Sequence, residues 1–160
     1  MESEQLFFID SPIGAIEIKG SAEFITGINF VEMPSMASNK PHQLLKICGN
    51  QPQEYFAGTR KKFTIPFKHS GTYFQQTVWQ ELSKIPLGHL SSYQEIALKL
   101  KNKKLSRAVG HANGRNQISI VVPCHRVIGK NGNLTGYAGG LWRKKWLIDH
   151  ELYYGLNLGR

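Results

Sequence analysis

The stretch "SSYQEIALKLKNKKLSRAVGHANGRN", residues 91–116, decides how the second half of the chain folds. Ser92 and Glu95 stand three apart, ahead of an apolar stripe of Tyr93, Ile96, Ala97 and Leu100, which is the spacing of a capping box opening an amphipathic helix. After "KNKK", small residues at positions 108, 110, 112 and 114 mark a second helix whose backbone can be approached closely, although its glycines cost helix stability. Two helices joined by a short basic turn suggest a helix-turn-helix, with Lys99, Lys101, Lys103, Lys104 and Arg107 gathered around the second element. A charge run is usually a solvated face. Here it coincides with a small-residue helix in a chain of formal net charge +9, and that combination points to a polyanionic partner, nucleic acid first.

Upstream, Phe74, Val78, Leu82 and Ile85 recur at near-helical spacing from Thr72 onward, until "PLG" stops the helix; Trp79 belongs with its core. The segment "KHSGT" before it reads as a linker near residue 70. It divides the chain into an N-terminal structural subdomain, residues 1–70, and a C-terminal domain, residues 71–160. In the first part, "QLFFID", "GAIEIKG" and "EFITGINFV" carry β-branched and aromatic residues with partial alternation between turn signals, the pattern of a small antiparallel sheet. A helical stretch, "HQLLKICGNQPQEYFAG", follows and is expected to be interrupted or ended by Gly49 and Pro52. "FTIPF" reads as one more extended piece. The fold class is therefore α+β: a small antiparallel-sheet subdomain followed by a mainly helical domain with a (winged) helix-turn-helix.

Downstream lies "VVPCHRVIG", residues 121–129. "ISIVV" reads as a strand that Pro123 ends or bulges, because proline cannot donate to a ladder, and this leaves Cys124 at a turn. A helical turn beginning there would present free N–H groups that favour a thiolate, with His125 and Arg126 adding positive charge. A nucleophile also needs a base held by a third group. His125 is adjacent, and the candidates to hold it are Glu151, Asp149 and His150 near the end of "GGLWRKKWLIDHE", among which spacing does not choose. Trp142 and Trp146 read as packing residues of that last helix, Cys48 as a buried small hydrophobe, and His42, His69 and His89 as surface or loop residues.

The chain's length bounds it to about one domain with a small subdomain. Its two cysteines are too few for a disulfide framework, and no Cys/His cluster suggests a metal. Neither a leader sequence nor a membrane-spanning run is legible, so the expectation is a soluble intracellular protein, cytoplasmic, or nuclear if the source is eukaryotic.

The segments "SSYQEIA", "SRAVGHANGRN", "IVVPCHRVIG", "GYAGG" and "RKKWLIDHE", in this order, resemble the alkylguanine-DNA alkyltransferase family, also called methylated-DNA-protein-cysteine methyltransferases. The resemblance implies direct-reversal repair of double-stranded DNA. An alkyl group passes from oxygen 6 of guanine, and from oxygen 4 of thymine, to the protein's own cysteine, once per molecule and without a cofactor or metal. By position, Cys124 is then the acceptor thiol, His125 the base that reaches it through a water, and Glu151 the carboxylate that orients His125. Asn116 would bond across the active-site turn, and Tyr93 would help rotate the nucleotide and assist the departing guanine. Arg107 would fill the vacated place in the base stack. Ala108, Gly110, Ala112, Gly114 and Arg115 would meet DNA in the minor groove, and Val127, Tyr137, Ala138 and Gly139 would line the base pocket. The resemblance further implies a monomer in solution with no membrane partner. Two departures are visible. Ala138 stands where some members have serine, so a backbone N–H of Tyr137 or Ala138 would have to replace any hydroxyl contact, and the N-terminal zinc cluster of certain relatives has no counterpart.

Two other readings remain at this stage. One is a lesion-sensing relative that everts the base without chemistry, although such relatives replace the cysteine. The other is a helix-turn-helix regulator with a redox-sensitive thiol, for which peroxide would change DNA affinity and lesions would not.

Overall fold

Alternation along the N-terminal strands builds the first sheet. In the computed structural model, which describes residues 3–158, β1 (Gln5–Ile9), β2 (Ala15–Gly20) and β3 (Ile25–Val31) pair antiparallel in that order. Phe7 lies opposite Ile18, and Ile18 opposite Ile28. Ile16 and Ile18 of β2 are buried while Glu17 and Lys19 turn away from the core, the two-residue period of a sheet covered on one face. The cover is α1 (Gln43–Phe56), which packs on β1 and β2. Gly49 makes that packing possible: a Cβ there would lie 2.9 Å from Phe7 Cε1.

The interruption expected at Gly49 and Pro52 does not occur, and α1 runs unbroken with Pro52 inside it. A proline inside a helix costs about 3 kcal/mol. Each large apolar side chain that α1 buries, Leu45 and Tyr55 among them, stabilises by about 1.5–3 kcal/mol, so tertiary burial outweighs the local penalty.

The free edge of β3 is covered by two short pieces rather than by full strands. Ile25 bridges Phe67 within "FTIPF", and Ile28 bridges Ile118. Here the sequence reading needs correction, because "ISIVV" is not a strand. Only Ile118 pairs, Ser119 to Val121 form a turn, and Ile120 takes a φ of +72°. A β-branched residue in the left-handed region is strained. The apolar run misleads because Ile118, Ile120 and Val122 are all buried, and a short run of that kind has no period to tell a strand from a buried turn.

The chain divides into two compact units: residues up to Ser70 together with Gln117–Val121, and Gly71–Asn116 together with the residues from Val122 on. The chain therefore leaves the second unit at Asn116 and rejoins it at Val122.

In the second unit, α2 (Tyr73–Leu82) starts in a capping box. Thr72 accepts from the Gln75 amide, and the Gln75 side chain accepts from the Thr72 amide. Trp79, nearly sealed from solvent, ties α2 to the helix-turn-helix by donating its indole N–H to the Ala112 carbonyl at 2.8 Å. The first helix of that motif is α3 (Tyr93–Lys99), capped by Ser92, which accepts from the Glu95 amide; the Glu95 carboxylate accepts from the Ser91 hydroxyl. The helix ends in a Schellman motif, with Asn102 N–H on the Ala97 carbonyl, Lys101 N–H on the Leu98 carbonyl, and Lys101 at φ +66° in the place glycine usually takes. Asn102 then caps a 3₁₀ turn, Lys103–Leu105, that leads directly into α4 (Ser106–Gly114). A two-residue parallel pair, β4 (Ser91–Ser92) with β5 (Val127–Ile128), anchors the segment after Cys124 beside α3. Residues 129–140 run as a loop into α5 (Leu141–Leu158).

Candidate active site

Pro123 ends one turn and Cys124 begins another. Cys124, His125 and Arg126 form a single 3₁₀ turn, all buried. Asn116 is buried as well and donates its Nδ2 to the Val122 carbonyl at 2.8 Å, closing the neck of the excursion that the chain makes between them. From the other side Asn113 donates its Nδ2 to the Cys124 carbonyl at 3.2 Å. The thiol is thus fixed by two asparagines on the buried stripe Val109, Ala112, Asn113 and Asn116, the i, i+3, i+4, i+7 pattern of one helix face continued one turn past α4.

Burial pushes the Cys124 thiol above its ordinary range, and a hydrogen bond from Asn116 and the positive charge of Lys144 pull in the opposite direction. The expected contribution of Arg126 to the thiolate is not what the geometry provides, because its guanidinium is turned away. Its Nε donates to Glu151 Oε2 at 2.7 Å, its Nη2 to Oε1 at 3.0 Å, and its Nη1 to the Ile85 carbonyl at 2.6 Å.

Glu151 is the carboxylate that α5 delivers to this turn. It is 2% exposed and lies 2.5 Å from His125 Nε2 through Oε1. Burial alone would raise its carboxyl, but His125 and Arg126 together hold it well below the usual carboxylate range. Asp149 instead pairs with Lys145 at the surface, and His150 stacks between Trp146 and Tyr154. Since Glu151 is an anion that can only accept, the neutral His125 ring carries its proton on Nε2. That leaves Nδ1 as a lone pair, and Nδ1 is buried without a hydrogen-bond partner in the structure. A histidine oriented by a carboxylate, in the same buried turn as a cysteine, brings together the residue types that activate a nucleophilic thiol.

Next to this turn a cavity of about 670 Å³ opens between α3, α4 and the 129–140 loop, within the range of small-molecule sites. Its lining includes Tyr93, Arg107, Gly110, Asn113, Thr135 and Tyr137. Tyr93 Oη donates to the Thr135 carbonyl at 3.1 Å and takes the Thr135 hydroxyl at 3.1 Å. That carbonyl also accepts from Lys144 Nζ at 2.8 Å, and the Gly136 carbonyl does so at 3.3 Å. Lys144 is wholly buried. Burial lowers its ammonium to about 8, although the charge of Cys124 raises it.

Sequence reasoning missed Lys144, Asn113 and the pairing of Arg126 with Glu151. A signal for Lys144 exists. Positions 144, 147, 148 and 151 share one helix face, and all four are buried, so a lysine within that stripe is a charge kept inside for a purpose.

The small-residue face needs correction. Positions two apart lie on opposite sides of a helix, and Ala112 is accordingly buried against Trp79 while Ala108 and Gly114 are exposed. Gly110 faces the Tyr93 ring, where a Cβ would meet Cδ1 at 3.6 Å. The exposed face of α4 is thus Arg107, Ala108, His111 and Gly114, with Arg115 just beyond its end. Among the other sequence candidates, Val127 is buried in β5 away from the cavity lining, Ala138 is exposed, and the Gly139 carbonyl accepts from Arg143 Nη1 at 2.8 Å. Trp142 is 57% exposed rather than packed, with the Arg143 guanidinium over its ring at 4.4 Å.

Among the described residues no group of His, Cys, Asp or Glu could hold a metal ion, and no helix is long and apolar enough to cross a membrane. Residues 7–69 match the ribonuclease-like domain of 6-O-methylguanine DNA methyltransferase, and residues 73–153 match its DNA-binding domain. A methylated-DNA–protein-cysteine methyltransferase of Methanosarcina acetivorans is 45% identical over 149 residues, covering 89% of this chain and 94% of that protein. The constitutive enzyme of Bacillus subtilis is likewise 45% identical, over 89% and 92% of the two chains. The crystal structure of the O6-methylguanine methyltransferase of Mycobacterium tuberculosis superposes with a TM-score of 0.87 at 37% identity, over 99% of this chain and 100% of that one. The DNA complex of that organism's protein superposes with a TM-score of 0.84 at 41% identity, over 92% of each chain.

Proposed function

The chain belongs to the 6-O-methylguanine DNA methyltransferase family, and on that basis we propose that Cys124 is the cysteine that takes the alkyl group and that the cavity beside it receives the everted base. The protein binds DNA and repairs O6-methylguanine by moving the methyl group to one of its own cysteines. The observation that carries the assignment to Cys124 is the buried Glu151–His125 pair, whose unpartnered Nδ1 belongs to the residue that follows this cysteine in the same buried turn.

Each step has a residue. An alkyl group on oxygen 6 of guanine cannot be reached inside a stacked duplex, so the nucleotide is turned out at a cost of a few kcal/mol. The exposed α4 face enters the minor groove, and Arg107, at the mouth of the cavity, fills the gap left in the stack while lysines around the 3₁₀ turn hold phosphates. His125 Nδ1 takes the thiol proton through a water, and Glu151 stabilises the imidazolium that results. The sulfur then forms a bond to the alkyl carbon while the carbon–oxygen bond breaks, its electron pair staying with guanine. Tyr93, already placed by Thr135, gives the departing base a hydrogen bond. The product is a thioether, which has no carbonyl for water to attack, so each molecule acts once. The reaction balances with the thiol, the alkylated base and a proton path. Oxygen 4 of alkylated thymine presents the same carbon to the same sulfur.

The protein acts as a monomer on double-stranded DNA. With a duplex carrying radiolabelled O6-methylguanine, label moves to the peptide that contains Cys124, one per molecule. Label that stays on DNA in the presence of excess protein contradicts the proposal.

A further inference from the structure

Two hydrogen bonds join Tyr93 and Thr135, and donor accounting leaves one assignment of their protons. The Thr135 carbonyl can only accept, so at 3.1 Å the phenol gives it its single proton. With that proton spent, the second contact, also 3.1 Å, runs the other way, from the Thr135 hydroxyl to Tyr93 Oη. The same carbonyl accepts from Lys144 Nζ at 2.8 Å, so both of its lone pairs are in use. Tyr93 and Thr135 line the cavity, and the bonds between them are exposed rather than sealed in the core.

The two bonds respond differently to an acceptor that enters the cavity. The phenol proton can turn from the Thr135 carbonyl to the newcomer, and the carbonyl then keeps Lys144 as its donor, so no acceptor is stranded. The bond from the Thr135 hydroxyl needs no such exchange, because it uses a lone pair of the phenol oxygen and leaves the proton end untouched. We infer that Thr135 is a positioning residue for alkyl transfer, its hydroxyl fixing the Tyr93 oxygen while the phenol proton turns from the Thr135 carbonyl to the departing base. A hydroxyl that accepts a hydrogen bond gives a stronger one, since each bond polarises the next, and the bond it gives strengthens as negative charge gathers on the leaving guanine. Thr135 exchanges no atom with the substrate and the phenol keeps its proton. The inference rests on the reading of Tyr93 as the group that assists the departing base.

The test is a double-mutant cycle on wild type, Thr135→Val, Tyr93→Phe and the two changes together. Valine keeps the branched shape and the backbone carbonyl and lacks the hydroxyl. Each protein is mixed with a saturating duplex carrying O6-methylguanine, and the rate of methylation is followed by intact mass, with duplex affinity measured separately. Thr135→Val is expected to slow transfer about fivefold at unchanged affinity, and Thr135→Ser, which restores the hydroxyl, to return it to the wild-type rate. The double variant is expected to be no slower than Tyr93→Phe alone, because without the phenol oxygen the Thr135 hydroxyl has nothing to act through. A Thr135→Val rate equal to wild type, losses that multiply in the double variant, or a serine variant as slow as valine would overturn the inference. Should Thr135→Val fail to fold, Thr135→Ala takes its place in the cycle with the same outcomes. Tyr93→Phe reacting at the wild-type rate would instead overturn the reading of Tyr93 itself and the inference with it, a result distinct from a slow Tyr93→Phe beside an unaffected Thr135→Val.

Discussion

Glu151 carries three charged contacts in a space that solvent barely reaches. Replacing it by glutamine keeps the shape and removes the charge, leaving the buried Arg126 without its counter-ion and with one of its two carboxylate acceptors lost, a change expected to cost about 3–5 kcal/mol. Because the folded carboxyl lies below its ordinary value of 4.5, its stabilisation is complete above that value and drains away as pH falls through the folded pKa. The stability gap between wild type and Glu151→Gln should therefore be wide at neutral pH and narrow in acid, as read from urea midpoints at the two pH values. Transfer to Cys124 should slow about a hundredfold or more in the variant, since His125 loses the group that fixes its tautomer. The positive charge of Lys144 bears on the same sulfur. With Lys144→Met the thiol loses a positive neighbour and the Thr135 and Gly136 carbonyls lose their donor. Thiolate absorbance and the pH profile of alkyl transfer should both move to higher pH; profiles that coincide with wild type would exclude this role. At this scale the sequence placed Cys124 and His125 at a turn, where the structure buries them together, and was silent on which of Asp149, His150 and Glu151 faced inward. The stripe that would have selected Glu151 includes a lysine, and a lysine hides a buried face from any reading that looks for apolar residues.

At the scale of elements, local chemistry was readable wherever it was local. Ser92 before α3 and the two-residue period of β2 both follow from side chains acting on their own backbone, whereas α2 ends at Leu82, ahead of the "PLG" expected to stop it. The readings that fail are those in which distant packing decides. Pro52 is overruled by the sheet beneath α1, "ISIVV" turns with four of its five residues buried, and Ala112 is buried where the Trp79 indole reaches its carbonyl. The turn of the helix-turn-helix offers a direct check. Lys101 holds a left-handed backbone at φ +66°, where a side chain costs about 1 kcal/mol. Lys101→Gly should raise stability by about that amount and leave alkyl transfer to a free base unchanged, measured by thermal unfolding and by mass. A lowered melting temperature would show that the Schellman turn is not the constraint it is taken to be.

For the whole molecule, the net charge of +9 has meaning only through its placement. Lys101, Lys103 and Lys104 are exposed at the turn before α4, and Arg107 lies at the mouth of the cavity. Each phosphate neutralised adds about 0.9 to the slope of log affinity against log salt. Replacing Lys103 and Lys104 by alanine should lower that slope by about 2 with little change in lesion preference; an unchanged slope would move the DNA away from this turn. The central claim, however, is that this DNA-binding scaffold exists to bring one sulfur to one carbon. It is tested most directly by titrating a fixed amount of protein with a duplex bearing O6-methylguanine and reading the intact mass. The predicted result is a rise by one methyl group per chain, complete at a one-to-one ratio, located on Cys124 and lost in Cys124→Ser. Repair that continues past that ratio, or protein whose mass is unchanged after repair, would contradict it.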